Sequence, residues 1–189
     1  MINRSEINSF NKDGVIKIQN IIDQKTILSI KNEYQNTLIK IKNKKTKLGK
    51  YFNFVKNPNK PSSLHRLEED KNSLFYKIAR RKIFKKISEK LLDSEARLQS
   101  IQFFIKHHKE NLPTPIHQDN AYWCKKNGKG LSIWIALSET NKKKGCMYYY
   151  VNSHKKNYSH HSSKIPGSSL IIKKHLKKKL KFYKLKPGD

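Results

Sequence analysis

The feature that most constrains this chain's fold is a change of period at Asp93. Before it, apolar residues recur at helical spacing. Ile27, Leu28, Tyr34, Leu38 and Ile41 do so behind Asp23, a residue suited to cap a helix N-terminus. They predict an amphipathic helix over 24–44. Ile78, Ile83, Phe84, Ile87 and Leu91 predict another over 73–92. A short helix over 4–11 should stop at Gly14, and residues 15–18 read as a short strand. After Asp93 the apolar residues come in short aromatic and β-branched runs, at 97–106, 116–122, 131–137 and 146–151. Turn-rich stretches at 125–130 and 140–145 separate them, and 56–63 and 160–169 read as polar loops. "KFYKLKPGD" closes the chain as a strand and a turn. Helices first and strands afterwards predict an α+β fold, a small sandwich or barrel with helices packed outside.

A chain of 189 residues suits one domain, with a mainly helical part over 1–95 and a β-rich part over 96–189. It has no apolar run of about 18 residues, and "MINRSEINSF" has no h-region of a signal peptide. The expectation is a cytoplasmic protein with no membrane partner. Cys124 and Cys146 are too few and too far apart for a disulfide scaffold or a zinc site.

The formal charge of +28 raises the question of nucleic acid. Of the 42 basic residues only Arg4, Arg66, Arg80, Arg81 and Arg97 are arginine. Phosphate and base recognition favours the bidentate guanidinium, so the excess of lysine argues against that partner. A chain rich in Lys, Asn and Ile reads instead as the product of an AT-rich genome. A basic nucleic-acid-binding protein without catalysis is the alternative reading, and a cupin-like binder without redox chemistry is a further one.

"LPTPIHQDNAYW" (112–123) points elsewhere. Between residues 101 and 189 the acids are Glu110, Asp119, Glu139 and Asp189. One of these four stands two residues after His117. Pro113 and Pro115 keep the approach extended. On a strand, residues i and i+2 share a face, so His117 and Asp119 would project together with Gln118 facing away. An imidazole nitrogen beside a carboxylate oxygen offers two of the three protein positions that hold non-haem Fe(II). An ordinary surface His–Asp hydrogen bond uses the same residues.

The surrounding motifs carry more. "PTPIHQDNAYW", then "LSIWIALSET", "GCMYYYVNSHK" and "LKPGD" resemble, in order and spacing, the phytanoyl-CoA dioxygenase family of Fe(II)- and 2-oxoglutarate-dependent oxygenases. "FNKDGVIKIQNIID" (10–23) resembles the family's opening. The resemblance implies a double-stranded β-helix, the jelly roll of the cupins, with flanking helices. It implies Fe(II) as cofactor, with 2-oxoglutarate and O₂ as cosubstrates and a small organic molecule hydroxylated at an unactivated C–H. His117 and Asp119 match the iron ligands. Trp134, Gln99 and Lys106 match positions near the cosubstrate, and Tyr122 and Trp123 should flank the substrate pocket.

Two departures stand out. The family's Pro-Gly-Ser-His-Lys is here "VNSHK". Asn152 tolerates a positive φ, so the turn should survive, with His154 as one of its structural residues. His107, His108, His160, His161 and His175 sit in polar, lysine-rich surroundings and read as solvated surface. In the family, Pro-Gly-Asp opens the strand that brings a second His to the iron, followed by an Arg for 2-oxoglutarate. This sequence stops at Pro187-Gly188-Asp189, so the C-terminal strands are expected to be missing. The 189-residue chain is accordingly expected to hold Fe(II) weakly and to form no succinate.

Overall fold

The computed structural model describes residues 2–43, 52–53, 61–107, 114–123, 129–165 and 168–189. His108, Cys124 and most of the predicted turn at 125–130 lie outside the described residues, as does most of the 56–63 loop.

Helix α1 spans Arg4–Asp13. Asn3 and Glu6 close a capping box at its start, and Gly14 ends it at φ 84°. Helix α2 spans Gln24–Lys42, and Asp23 caps it by accepting from the Thr26 N–H at 2.7 Å. Its inward stripe runs through Thr26, Ile27, Ile30, Tyr34 and Thr37. Leu28 was expected on that stripe but is 59% exposed. It lies one position from Ile27, about 100° round the helix.

The expected single helix over 73–92 is two. Helix α3 covers Leu74–Ala79 behind a Ser73 cap, and α4 covers Lys82–Leu92. The break is Arg81, whose ψ of 137° is extended and whose guanidinium donates to Thr26 Oγ1 at 3.2 Å. That bond ties the break to the start of α2. Ile22, Ile27, Ile30, Leu64, Leu67, Phe75, Ile78 and Phe84 form the main core. Tyr34 stacks on Phe103 at 4.8 Å and Phe75 meets the same ring edge-on at 5.9 Å, so α2 and α3 pack on one small sheet.

That sheet is antiparallel, in the order β1 (Phe52–Asn53), β2 (Ser63–Leu64), β3 (Phe103–Phe104). Helix α5 (Asn120–Trp123) follows it in the chain. Two further antiparallel pairs join β4 (Tyr148–Tyr150) to β7 (Leu180–Phe182) and β5 (His161–Ser162) to β6 (Leu170–Ile171). Among the described residues the ladders thus form small separate sheets and do not close into the expected double-stranded β-helix.

The runs at 15–18, 131–137 and most of 97–106 lie outside any ladder, and 160–169, expected as loop, contributes β5. Residues 116–122 are not a strand. Gln118 and Asp119 carbonyls accept from Ala121 and Tyr122 at 3.1 and 2.9 Å, which turns the chain into α5. Pro115 has no N–H to give a ladder, and Asp-Asn favours a turn.

The Pro-Gly-Asp turn works as a clasp. Gly188 O accepts from Ile21 and Ile22 N–H at 2.9 and 3.2 Å. Gly188 N–H donates to Ala136 O at 2.8 Å, and Ala136 N–H returns a bond to Asp189 O at 3.0 Å. Gly188 sits at φ 94°, where a Cβ would also run into the Ile22 carbonyl. The clasp joins the segment before α2 to the 131–137 run. Among the described residues no helix is long and apolar enough to cross a membrane.

Candidate metal centre

His117 and Asp119 come together on the turn into α5, without the strand that was expected to align them. His117 Nε2 lies 3.3 Å from Asp119 Oδ1. The other ring nitrogen, Nδ1, lies 2.8 Å from Pro115 O. Both nitrogens therefore face oxygens with no proton to give. A neutral imidazole carries one N–H. If it is spent on Pro115, the Nε2 lone pair points at a carboxylate, and the pair needs a cation between them or a second proton on the ring. The carbonyl contact at Nδ1 is the arrangement that commonly fixes the tautomer of a metal-ligating His.

The carboxylate is fixed from its other side. Ser132 Oγ donates a short hydrogen bond to Asp119 Oδ2, which leaves Oδ1 turned to His117. The hydrogen bond to Asp119 raises the His117 pKa against the pull of partial burial. The same bond, with Ser132 assisting, holds the Asp119 carboxyl below the ordinary range although its partial burial acts in the opposite direction. The His117 side chain is 24% exposed and that of Asp119 47%, so the pair is open to solvent on the carboxylate side.

Ligands roughly 2.1 Å from one ion and cis to each other lie about 3 Å apart, so this separation fits two adjacent positions of a divalent ion. Among the described residues no group of three His, Cys, Asp or Glu side chains assembles that could hold a metal.

The other expected site residues divide. The Tyr122 ring stands edge-on to His117 at 5.5 Å, and its hydroxyl accepts from Leu170 N–H at 3.2 Å. Trp123 packs on Gly130, where a Cβ would strike its ring. Trp134 is half-buried, two residues beyond Ser132. Lys106 Nζ reaches Thr114 Oγ1 at 3.5 Å, three residues short of His117, and partial burial lowers its ammonium pKa. Gln99 is exposed.

Sequence reasoning missed Ser132, a lone hydroxyl in the apolar run "LSIWIAL". It also misplaced two histidines. His160 was expected as solvated surface, but its Nε2 accepts from Gln118 N–H at 2.9 Å, because the 153–160 segment folds back over the turn. His107 is half-buried with Nε2 2.9 Å from Pro61 O. His161 and His175 are exposed, as expected. Asn152 has φ 61°, and His154 bonds Asn11 O at 3.2 Å and covers Gly14, the structural part expected of it.

A family model described as phytanoyl-CoA dioxygenase (PhyH) matches residues 10–180. No curated protein and no solved structure matches the chain. The match takes in both halves of the molecule, the His117–Asp119 turn and the "VNSHK" turn. The chain belongs to the phytanoyl-CoA dioxygenase family.

Proposed function

We propose that the protein is an Fe(II)- and 2-oxoglutarate-dependent oxygenase acting on a small organic substrate, with His117 and Asp119 as iron ligands. Family membership supports the dioxygenase class. The observation that carries the site assignment is the His117 ring, which has an oxygen acceptor on each nitrogen. Iron, when bound, supplies with 2-oxoglutarate and O₂ the oxidising chemistry that hydroxylates an unactivated C–H bond.

The chain's own residues have simpler tasks. Pro115 O accepts a hydrogen bond from Nδ1–H, which keeps the ring proton on Nδ1 and leaves the Nε2 lone pair to bind. Ser132 occupies one Asp119 oxygen and leaves the other to bind in one-atom fashion. Lys106 and Thr114 offer an ammonium and a hydroxyl beside the approach to the pair, where an anionic cosubstrate is received. Gln99 and Trp134 are assigned to the same cosubstrate by family position. Tyr122 fixes the face of the His117 ring, and Tyr122 and Trp123 border the substrate side. The strongly basic surface attracts an anionic cosubstrate over distance.

The test is equilibrium dialysis of labelled 2-oxoglutarate, with and without a divalent ion. Retention that requires the ion and is lost in His117→Ala and Asp119→Ala supports the proposal. Retention independent of the ion, or equal in those variants, overturns it.

A further inference from the structure

Gln118 stands between the two proposed ligands, and its side chain points away from them into the 153–160 segment. There its amide is fully engaged. Nε2 donates to Lys156 O at 2.9 Å and to Ser153 O at 3.4 Å, and Oε1 accepts from Tyr158 N–H at 3.0 Å. Its own main-chain N–H donates to His160 Nε2 at 2.9 Å. Asn120 adds a side-chain bond to Asn157 at 3.3 Å. One short turn is thus tied to one facing segment by five hydrogen bonds, of which Gln118 donates three and accepts one.

The facing segment is anchored in turn. Asn152 N–H donates to Asp13 O at 2.9 Å, Lys178 Nζ donates to Asn152 O at 2.7 Å, and His154 meets Asn11 O. The C-terminal end of α1 therefore holds the 152–154 turn, and the segment that follows holds Gln118. The turn needs such support. Helix α5 has four residues, too short to stand by itself, and although Ile116 O accepts from Ile172 N–H at 2.7 Å, residues 117–119 join no ladder among the described residues. A ligand pair has to be held within about 0.5 Å to bind well.

We propose that Gln118 is the positioning residue of the metal centre: its amide clamps the His117–Asp119 turn to the 153–160 segment and so sets the spacing of the two ligand atoms. This rests on the reading of His117 and Asp119 as iron ligands. The clamp itself makes a separate, metal-free statement about the chain.

The test uses Gln118→Ala and Gln118→Met, with Co(II) as probe, and amide hydrogen exchange on the metal-free protein. Met keeps the length and bulk of Gln and none of its bonds. Both variants should keep the wild-type circular dichroism. In both, amides of 114–123 and 153–160 should exchange faster together while those of α2 and α4 stay as in wild type. Both should raise the Co(II) Kd by about 10–100-fold and alter the ligand-field spectrum of the bound ion, the range found when partners that orient metal ligands are removed.

Unchanged exchange in 114–123 would overturn the clamp. Faster exchange with an unchanged Co(II) Kd and spectrum would overturn the positioning role. A Met variant with wild-type binding would show that bulk suffices and would overturn the hydrogen-bond argument. Wild-type protein that binds no Co(II) at the pair would overturn the metal reading and the positioning role with it, whatever the exchange shows.

Discussion

Asp189→Asn should cost this fold about 1.5–3 kcal/mol at neutral pH. The carboxylate is 3% exposed and lies 2.7 Å from Lys17 Nζ, itself 19% exposed. It also accepts from Lys186 N–H at 3.0 Å and Asn20 N–H at 3.2 Å. Burial alone would raise its pKa, but Lys17 and the two N–H groups outweigh that and hold it below the ordinary range. Asparagine keeps one acceptor oxygen and turns an NH₂ toward a neighbour that is itself a donor. The loss is therefore that of one charge-assisted bond in a mostly dry place. Lys17 keeps a bond to Lys184 O at 3.0 Å, which argues against the larger penalty of a wholly stranded charge.

For a chain of this length the same loss is a fall in Tm of roughly 3–12 °C. The sign with pH follows from the depressed pKa. The Asp189 contribution is present above the unfolded value of about 3.9 and is lost as pH falls through the folded value. Urea unfolding at pH 7 and at stepped acid pH measures it. The wild type should lose its advantage over the variant below about pH 4. A difference at pH 7 under roughly 0.5 kcal/mol, or one that does not shrink in acid, would refute the clasp.

Leu64, 1% exposed, should cost about 2–5 kcal/mol as Leu64→Ala, whereas Leu28→Ala at 59% exposure should stay within about 0.5 kcal/mol in the same urea assay. His65 lies with Nε2 2.8 Å from Ser63 Oγ and edge-on to Phe104, and burial lowers its pKa, with Glu68 partly opposing. A lowered pKa in the folded state means stability falls as pH drops from about 6.5 through the folded value. The drop in urea midpoint between pH 7.5 and 5.5 should therefore be smaller in His65→Gln than in wild type.

What the sequence disclosed depended on how local the physics was. Asp23 and Gly14 mark helix ends through bonds within three or four residues, and the ends they mark are observed. Asn152 at positive φ and the closing Pro-Gly-Asp turn were legible for the same reason. Leu28 was misassigned because the spacing does not say to which side of Ile27 the buried stripe extends, and the packed helix buries Thr26 and leaves Leu28 exposed. The break at Arg81 was invisible because Thr26, 55 residues away, holds the guanidinium.

The strand runs after Asp93 were read from composition, but pairing is a long-range matter, and among the described residues the runs at 116–122 and 131–137 join no ladder. His117 and Asp119 were found by spacing, yet the reason they meet is a turn closed by the Gln118 and Asp119 carbonyls and braced from 153–160. Ser132 and His160 gave no local signal, since each reaches the turn across a gap of more than ten residues.

The central proposal is that His117 and Asp119 together would hold one divalent ion. The most direct measurement is an anaerobic calorimetric titration of the protein with Fe(II). The account predicts one ion per chain, bound more weakly by at least about 10–100-fold in both His117→Ala and Asp119→Ala, with unchanged circular dichroism. Binding of equal strength in wild type and either variant, or no binding by the wild type, would contradict it.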